Sequence, residues 1–140
     1  MEKLRNIVLA VLVVIFAVLM VSIFGLNERM SLRHLPIFVL LAMACAFFVL
    51  GIVEVILSVK IKEAKVKKVF FTLAGASAAG IPLCAVLHNV VYGLFFAGKT
   101  GDEAVFFILA VLVCPILFAV GALGSVICGI VGMKSKVKNA

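Results

Sequence analysis

Hydrophobic positions in this chain are gathered into four long runs, and the polar positions fall mainly in the short intervals between them. The runs cover 7–26, 36–59, 69–97 and 104–133. A bilayer's hydrocarbon core is about 30 Å thick and needs about 20 apolar helical residues to cross it. Each run meets that requirement. The pattern predicts an all-α, polytopic integral membrane protein with four transmembrane helices in an antiparallel bundle, folded as a single domain over 1–140. The third and fourth runs extend roughly 45 Å at about 1.5 Å per residue, so they are expected to tilt, kink or project beyond the membrane. The first run follows a basic start, as a signal peptide does. It is longer than a usual signal core and no small-x-small cleavage site follows, so it is read as an uncleaved span.

Composition strengthens this reading. Hydrophobic residues make up 66% and charged residues 14%, against about 25% charged in an average soluble domain. The net charge of +7 does not point to nucleic acid, because the basic residues sit at the ends of the runs. Lys3 and Arg5 precede the first run, Lys60, Lys62, Lys65, Lys67 and Lys68 lie between the second and third, and Lys134, Lys136 and Lys138 end the chain. The other two intervals hold only Arg29, Arg33 and Lys99. By the positive-inside rule, both termini and the 60–68 interval face the cytoplasm, and the expected location is the cell membrane. The expected partners are the lipid bilayer and either further copies of the chain or other membrane proteins.

Small residues set the expected helix contacts. Thr72, Ala76, Gly80, Cys84, His88 and Tyr92 recur every four residues in the third run, and "GASAAG" from Gly75 to Gly80 adds a second small face. The fourth run carries Gly121, Ser125 and Gly129 on one ridge and Gly124, Cys128 and Gly132 on another. Small side chains let membrane helices approach closely. Gly75, Gly80, Gly121, Ser125 and Gly129 are therefore the expected packing residues. Pro82 and Pro115 are expected to kink their helices.

Two polar features lie within the runs. Glu54 shares a helical face with Ala44, Gly51 and Ser58. A carboxylate inside a span is a functional candidate by default. Glu54 is also only six residues, or roughly 9 Å of helix, from Lys60, so anchoring to Lys60, Lys62 or the C-terminal tail is the competing expectation. The second feature is His88, Asn89 and Tyr92 near the end of the third run. Asp102 and Glu103 open the fourth run and offer acceptors for His88; a network of His88, Asn89, Tyr92 and Asp102 is expected. Glu54 and His88 are too far apart in depth to act as one pair, though they can mark the two ends of a path.

Cys45, Cys84, Cys114 and Cys128 form no C-x-x-C pair, so a disulfide framework is not expected. There is no Gly-rich phosphate loop, no H-E-x-x-H and no serine-nucleophile motif. The chain is read as non-enzymatic, with no cofactor and no metal. Four short spans with one buried Glu resemble the small multidrug transporters in layout, but those carry their Glu in the middle of the first span, where this chain has no ionisable residue. The leading reading is a membrane protein acting through helix packing, as a homo-oligomer or a subunit of a complex. The alternative is a small oligomeric transporter or channel using Glu54 and the His88 cluster.

Overall fold

Each apolar run becomes a helix because a chain in lipid must satisfy its backbone hydrogen bonds internally. The computed structural model describes residues 1–24, 36–97 and 103–138. Helix α1 spans Glu2–Phe24, α2 Ile37–Lys60 and α3 Lys65–Val91. A π-helical turn, Tyr92–Phe96, extends α3. The last crossing is made of α4 (Val105–Ile108), a second π-helical turn (Leu109–Val113) and α5 (Cys114–Lys138). All four crossings are long and apolar enough to span a membrane, and there is no strand among the described residues. The protein is thus an all-helical, four-crossing bundle of the membrane type.

Helix α3 is central. It packs along α2 on one side and α5 on the other, while α1 rests mainly on α2. The α2–α3 connection is only residues 61–64, which makes the two helices antiparallel neighbours. Lys68 Nζ donates to the Val59 carbonyl at 2.7 Å and so caps the end of α2. The two prolines behave differently from one another. Helix α3 runs through Pro82 without interruption. Before Pro115 the helix widens, and the Cys114 N–H bonds the Leu109 carbonyl five residues back. Proline lacks an N–H and its ring crowds the carbonyl four residues earlier, here Val111; the wider turn relieves that conflict.

The helices meet where side chains are smallest. A Cβ on Gly51 would lie 2.8 Å from the Gly75 carbonyl oxygen, and one on Gly75 would lie 2.8 Å from that of Gly51, so the α2 and α3 backbones touch at this crossing. A Cβ on Gly121 would lie 2.6 Å from the Ala74 nitrogen, which sets the α3–α5 contact. Gly80 has a milder constraint, since a Cβ there would lie 3.0 Å from Cys114 Sγ. Ser125 is buried and returns its hydroxyl to the Gly121 carbonyl at 2.8 Å. Gly129 has open space beside it. The tight face of α3 is therefore Phe71, Ala74, Gly75 and Ala78. The four-residue stripe is only partly inside, since Ala76 and Tyr92 are exposed.

An aromatic cluster fills the middle of the bundle. Phe16 of α1 lies 4.7 Å from Phe118 of α5, and Phe47 of α2 lies 5.4 Å from Phe118, ring centre to ring centre. Leu9, Leu12 and Phe16 put one stripe of α1 toward this core, while Ile7, Val14 and Val21 remain on its outer surface. Large apolar side chains such as Leu41, Leu123 and Ile127 are exposed around the bundle. Such a surface suits lipid and not water.

Candidate functional site

The two ends of α3 carry the polar chemistry. At the end that includes residues 61–64, here called the basic end, the cluster is built by four elements. Glu54 comes from α2, one turn beyond the Gly51–Gly75 crossing, and that close approach leaves its side chain fully buried. Ser58, one turn further, is also fully buried and donates to the Glu54 backbone carbonyl at 2.7 Å. Arg5 enters from the first turn of α1 and is 0% exposed. Its Nη1 and Nη2 donate to the two oxygens of Glu63 at 2.5 and 3.1 Å, the forked geometry in which guanidinium binds carboxylate best. Its planar head lies 3.6 Å from the Phe71 ring centre, a cation–π contact. Lys67, one turn along α3 from Glu63, adds a third donor at 2.6 Å.

Glu63 lies in the connection between α2 and α3, outside the crossings. Burial works against its ionised form. The donors of Arg5 and Lys67 outweigh burial and hold its carboxyl below the usual carboxylate range. Glu54 is different. Both of its carboxyl oxygens are buried and neither has a hydrogen-bond partner among the described residues. Of the anchoring expected from sequence, the part through Lys60 and Lys62 is not what the fold builds: both are exposed and neither reaches Glu54, while the side chains of the C-terminal tail lie outside the described residues. Among the described residues, the charge that acts on Glu54 is Arg5, whose own Nε is buried and unpartnered as well.

At the far end, His88 Nδ1 lies 3.0 Å from Glu103 Oε2. Glu103 Oε1 accepts the Phe106 N–H at 2.9 Å, so this acid also caps the start of α4. Burial opposes ionisation of Glu103, but the Phe106 N–H, His88 and the Val105 N–H prevail and hold its carboxyl below the usual range. The His88 ring centre is 5.5 Å from that of Phe107 and 6.4 Å from that of Tyr92. Asn89 is exposed and donates to the Ala85 carbonyl of its own helix at 2.8 Å. Of the expected network, His88 and Tyr92 come together, Asn89 turns away, and Asp102 lies outside the described residues. Among the described residues, the acid that reaches His88 is its neighbour Glu103.

Cys84 and Cys114 are side by side and within hydrogen-bonding reach, whereas Cys45 is exposed on α2. No group of three metal-binding side chains occurs among the described residues.

Sequence reasoning missed Arg5 and Glu63 as site residues, treating Arg5 only as a flanking charge. A signal for Arg5 was present. Arg5, Leu9, Leu12, Phe16 and Leu19 recur at alternating four- and three-residue steps, the spacing of one helix face. Glu63 is an acid among five lysines between the second and third runs, an anomaly in a segment otherwise read as uniformly basic. Compared with known proteins, the chain matches no family model, no curated protein and no solved structure.

Proposed function

We propose that the protein is a small, non-enzymatic membrane transporter or channel in which Glu54 binds the cation that moves, a proton or an alkali ion. The observation that carries this is Glu54 itself: a fully buried carboxyl group with neither oxygen hydrogen-bonded among the described residues. Leaving such a group empty is costly, because burial strips its water without replacing it. A bound cation supplies the missing interaction. The close glycine contacts, by contrast, join helices of one chain; they are accounted for by the fold and leave less reason to invoke an assembly. The His88–Glu103 pair lies about 30 Å of helix from Lys67, by residue count along α3, and would form the opposite mouth of the path. By the charge distribution, the basic end faces the cytoplasm.

Reconstituted vesicles test this reading. The wild-type chain should dissipate an imposed proton, Na⁺ or K⁺ gradient, and Glu54→Gln should abolish the flux while keeping helicity and detergent behaviour. The ion whose gradient collapses identifies the cation. No flux of any of the three, or equal flux through Glu54→Gln, rejects the proposal. Orientation is checked by cysteine placed at position 65 or 99: an impermeant reagent outside intact cells should reach 99 and not 65.

A second reading, association through helix packing, rests on a groove of about 550 Å³ between α1 and α5. Ala10, Val13 and Val14 line one side, and Ser125, Gly129 and Ile130 the other. A helix of a second copy would fit against the open side of Gly129. In that case Gly129→Leu lowers the oligomer mass in mild detergent and leaves the fold of each chain intact.

A further inference from the structure

Three buried polar atoms stand without partners among the described residues, and they are complementary: Arg5 Nε is a donor, and Glu54 Oε1 and Oε2 are acceptors. We infer that Arg5 is an internal cation that competes with the transported one for Glu54, moving between Glu63 and Glu54 as the site empties and fills. This rests on the reading of Glu54 as the cation-binding carboxylate.

The cluster holds two acids, Glu54 and Glu63, and two bases, Arg5 and Lys67. In the arrangement observed, both bases sit on Glu63. Among the described residues, one acid therefore has two cations and the other has none in contact. Ser58 offers no relief, since its hydroxyl is taken up by the backbone carbonyl of Glu54. A different pairing distributes the charges evenly: Arg5 on Glu54, Lys67 on Glu63. Lys67, in the first turn of α3 and four residues from Glu63, already bonds it at 2.6 Å. Glu63 thus keeps a partner if Arg5 leaves. In the observed pose the guanidinium rests on the face of Phe71, held by the ring's attraction for cations, and the long side chain can redirect its donors from there.

In the proposed cycle, the Arg5–Glu63 pairing goes with a Glu54 whose charge is neutralised by its own cation. The alternative corresponds to an empty, ionised Glu54 held by Arg5. The two differ in what ties the first turn of α1 to the 61–64 connection. With Arg5 on Glu63 this tie is a forked ion pair; with Arg5 on Glu54 it is released. Loading of Glu54 is thereby linked to the seating of α1, a two-state element of the kind a transport cycle requires.

Dicyclohexylcarbodiimide, which attacks protonated carboxyls in apolar surroundings, provides the test. Its labelling of Glu54 in the purified full chain is read by mass spectrometry across pH, with and without Na⁺ or K⁺. Arg5→Gln removes the competitor, and labelling at a fixed pH should rise at least about five-fold, the low end of typical coupling between sites. Arg5→Lys keeps a cation there and should stay closer to wild type. Because Arg5→Gln leaves Glu63 with Lys67 alone, the double variant Arg5→Gln/Glu63→Gln is run beside it and should show the same rise. Labelling that is present but unchanged by all three variants overturns the Arg5 proposal and leaves Glu54 as the cation site. Absence of Glu54 labelling at every pH in all proteins overturns both. Protection by Na⁺ or K⁺ in the wild type, strengthened in Arg5→Gln, supports an alkali ion as the competitor; a response to pH alone supports the proton.

Discussion

The two ends of α3 use similar side chains to opposite effect. At the far end, a histidine and a glutamate form one pair, and both glutamate oxygens are occupied, one by His88 and the other by the Phe106 N–H. His88 is partly exposed there, and the pair behaves as a cap that fixes where α4 begins. At the basic end, Arg5 and Glu54 are fully buried, and the hydrogen bonds are unevenly shared. Glu63 receives three donors while Glu54 receives none among the described residues. An evenly satisfied cluster has one good arrangement. An unevenly satisfied one leaves complementary groups that a second arrangement can pair, which is what the proposed switching site requires.

Glu63 is where this contrast is most exposed to test. Glu63→Ala removes the acceptor of a buried Arg5, and breaking a buried pair from one side costs about 3 to 5 kcal/mol. We expect a loss of that size in denaturation of the purified protein, larger than for any single change at the far end. The same residue governs the acid limb. Its carboxyl lies below the usual range when folded, so its contribution is present above the ordinary glutamate value of about 4.3 and is lost as pH falls through the lowered one. Thermal melts should be flat from neutrality to about pH 5 and fall below about pH 4, with a shallower fall in Glu63→Gln. An unchanged acid limb in that variant assigns it elsewhere.

Next in size are the crossings. Gly75→Leu and Gly121→Leu force side chains into backbone contact and should each cost about 1 to 3 kcal/mol. Gly129→Leu points into open space and should leave the stability of the single chain within about 0.5 kcal/mol. Equal losses at all three positions would remove the distinction between the contact face and the groove face of α5.

The far end should give the smallest effect. In a double-mutant cycle, His88→Ala and Glu103→Ala should give non-additive stability losses, as expected of residues that share a hydrogen bond. Asn89→Ala should not couple to either, because its amide is spent on its own helix. Additivity of His88 and Glu103 would leave the far end without a pair and erase the contrast with the basic end.

The architecture was legible because bilayer thickness dictates run length, and four runs of that length leave little choice. Glu54 was legible because a carboxylate inside such a run stands out by itself. The identity of partners was not. Asp102 and Glu103 are adjacent in sequence, and helical spacing alone does not say that Glu103 reaches His88. The small-residue ridges were visible as periods, but a period does not say which neighbour lies across from it. Gly121 meets Ala74, while Gly129, two turns along the same ridge, meets nothing among the described residues. Arg5 and Glu63 were hidden for a different reason. Flanking charges normally reside in water, and only the assembled bundle reveals that these two have been drawn inside.

That ion pair also sets an order of assembly. Arg5 leaves the ribosome 58 residues ahead of its acceptor, roughly 3 to 12 seconds at ordinary rates of synthesis. During this interval the guanidinium must stay with water or lipid headgroups. Helix α1 can enter the bilayer, but its first turn cannot reach its final depth until residues 61–64 have been made and the α2–α3 hairpin has closed. Helix α1 is therefore seated only after two later-made helices have paired, and an earlier segment waits on a later one for its register.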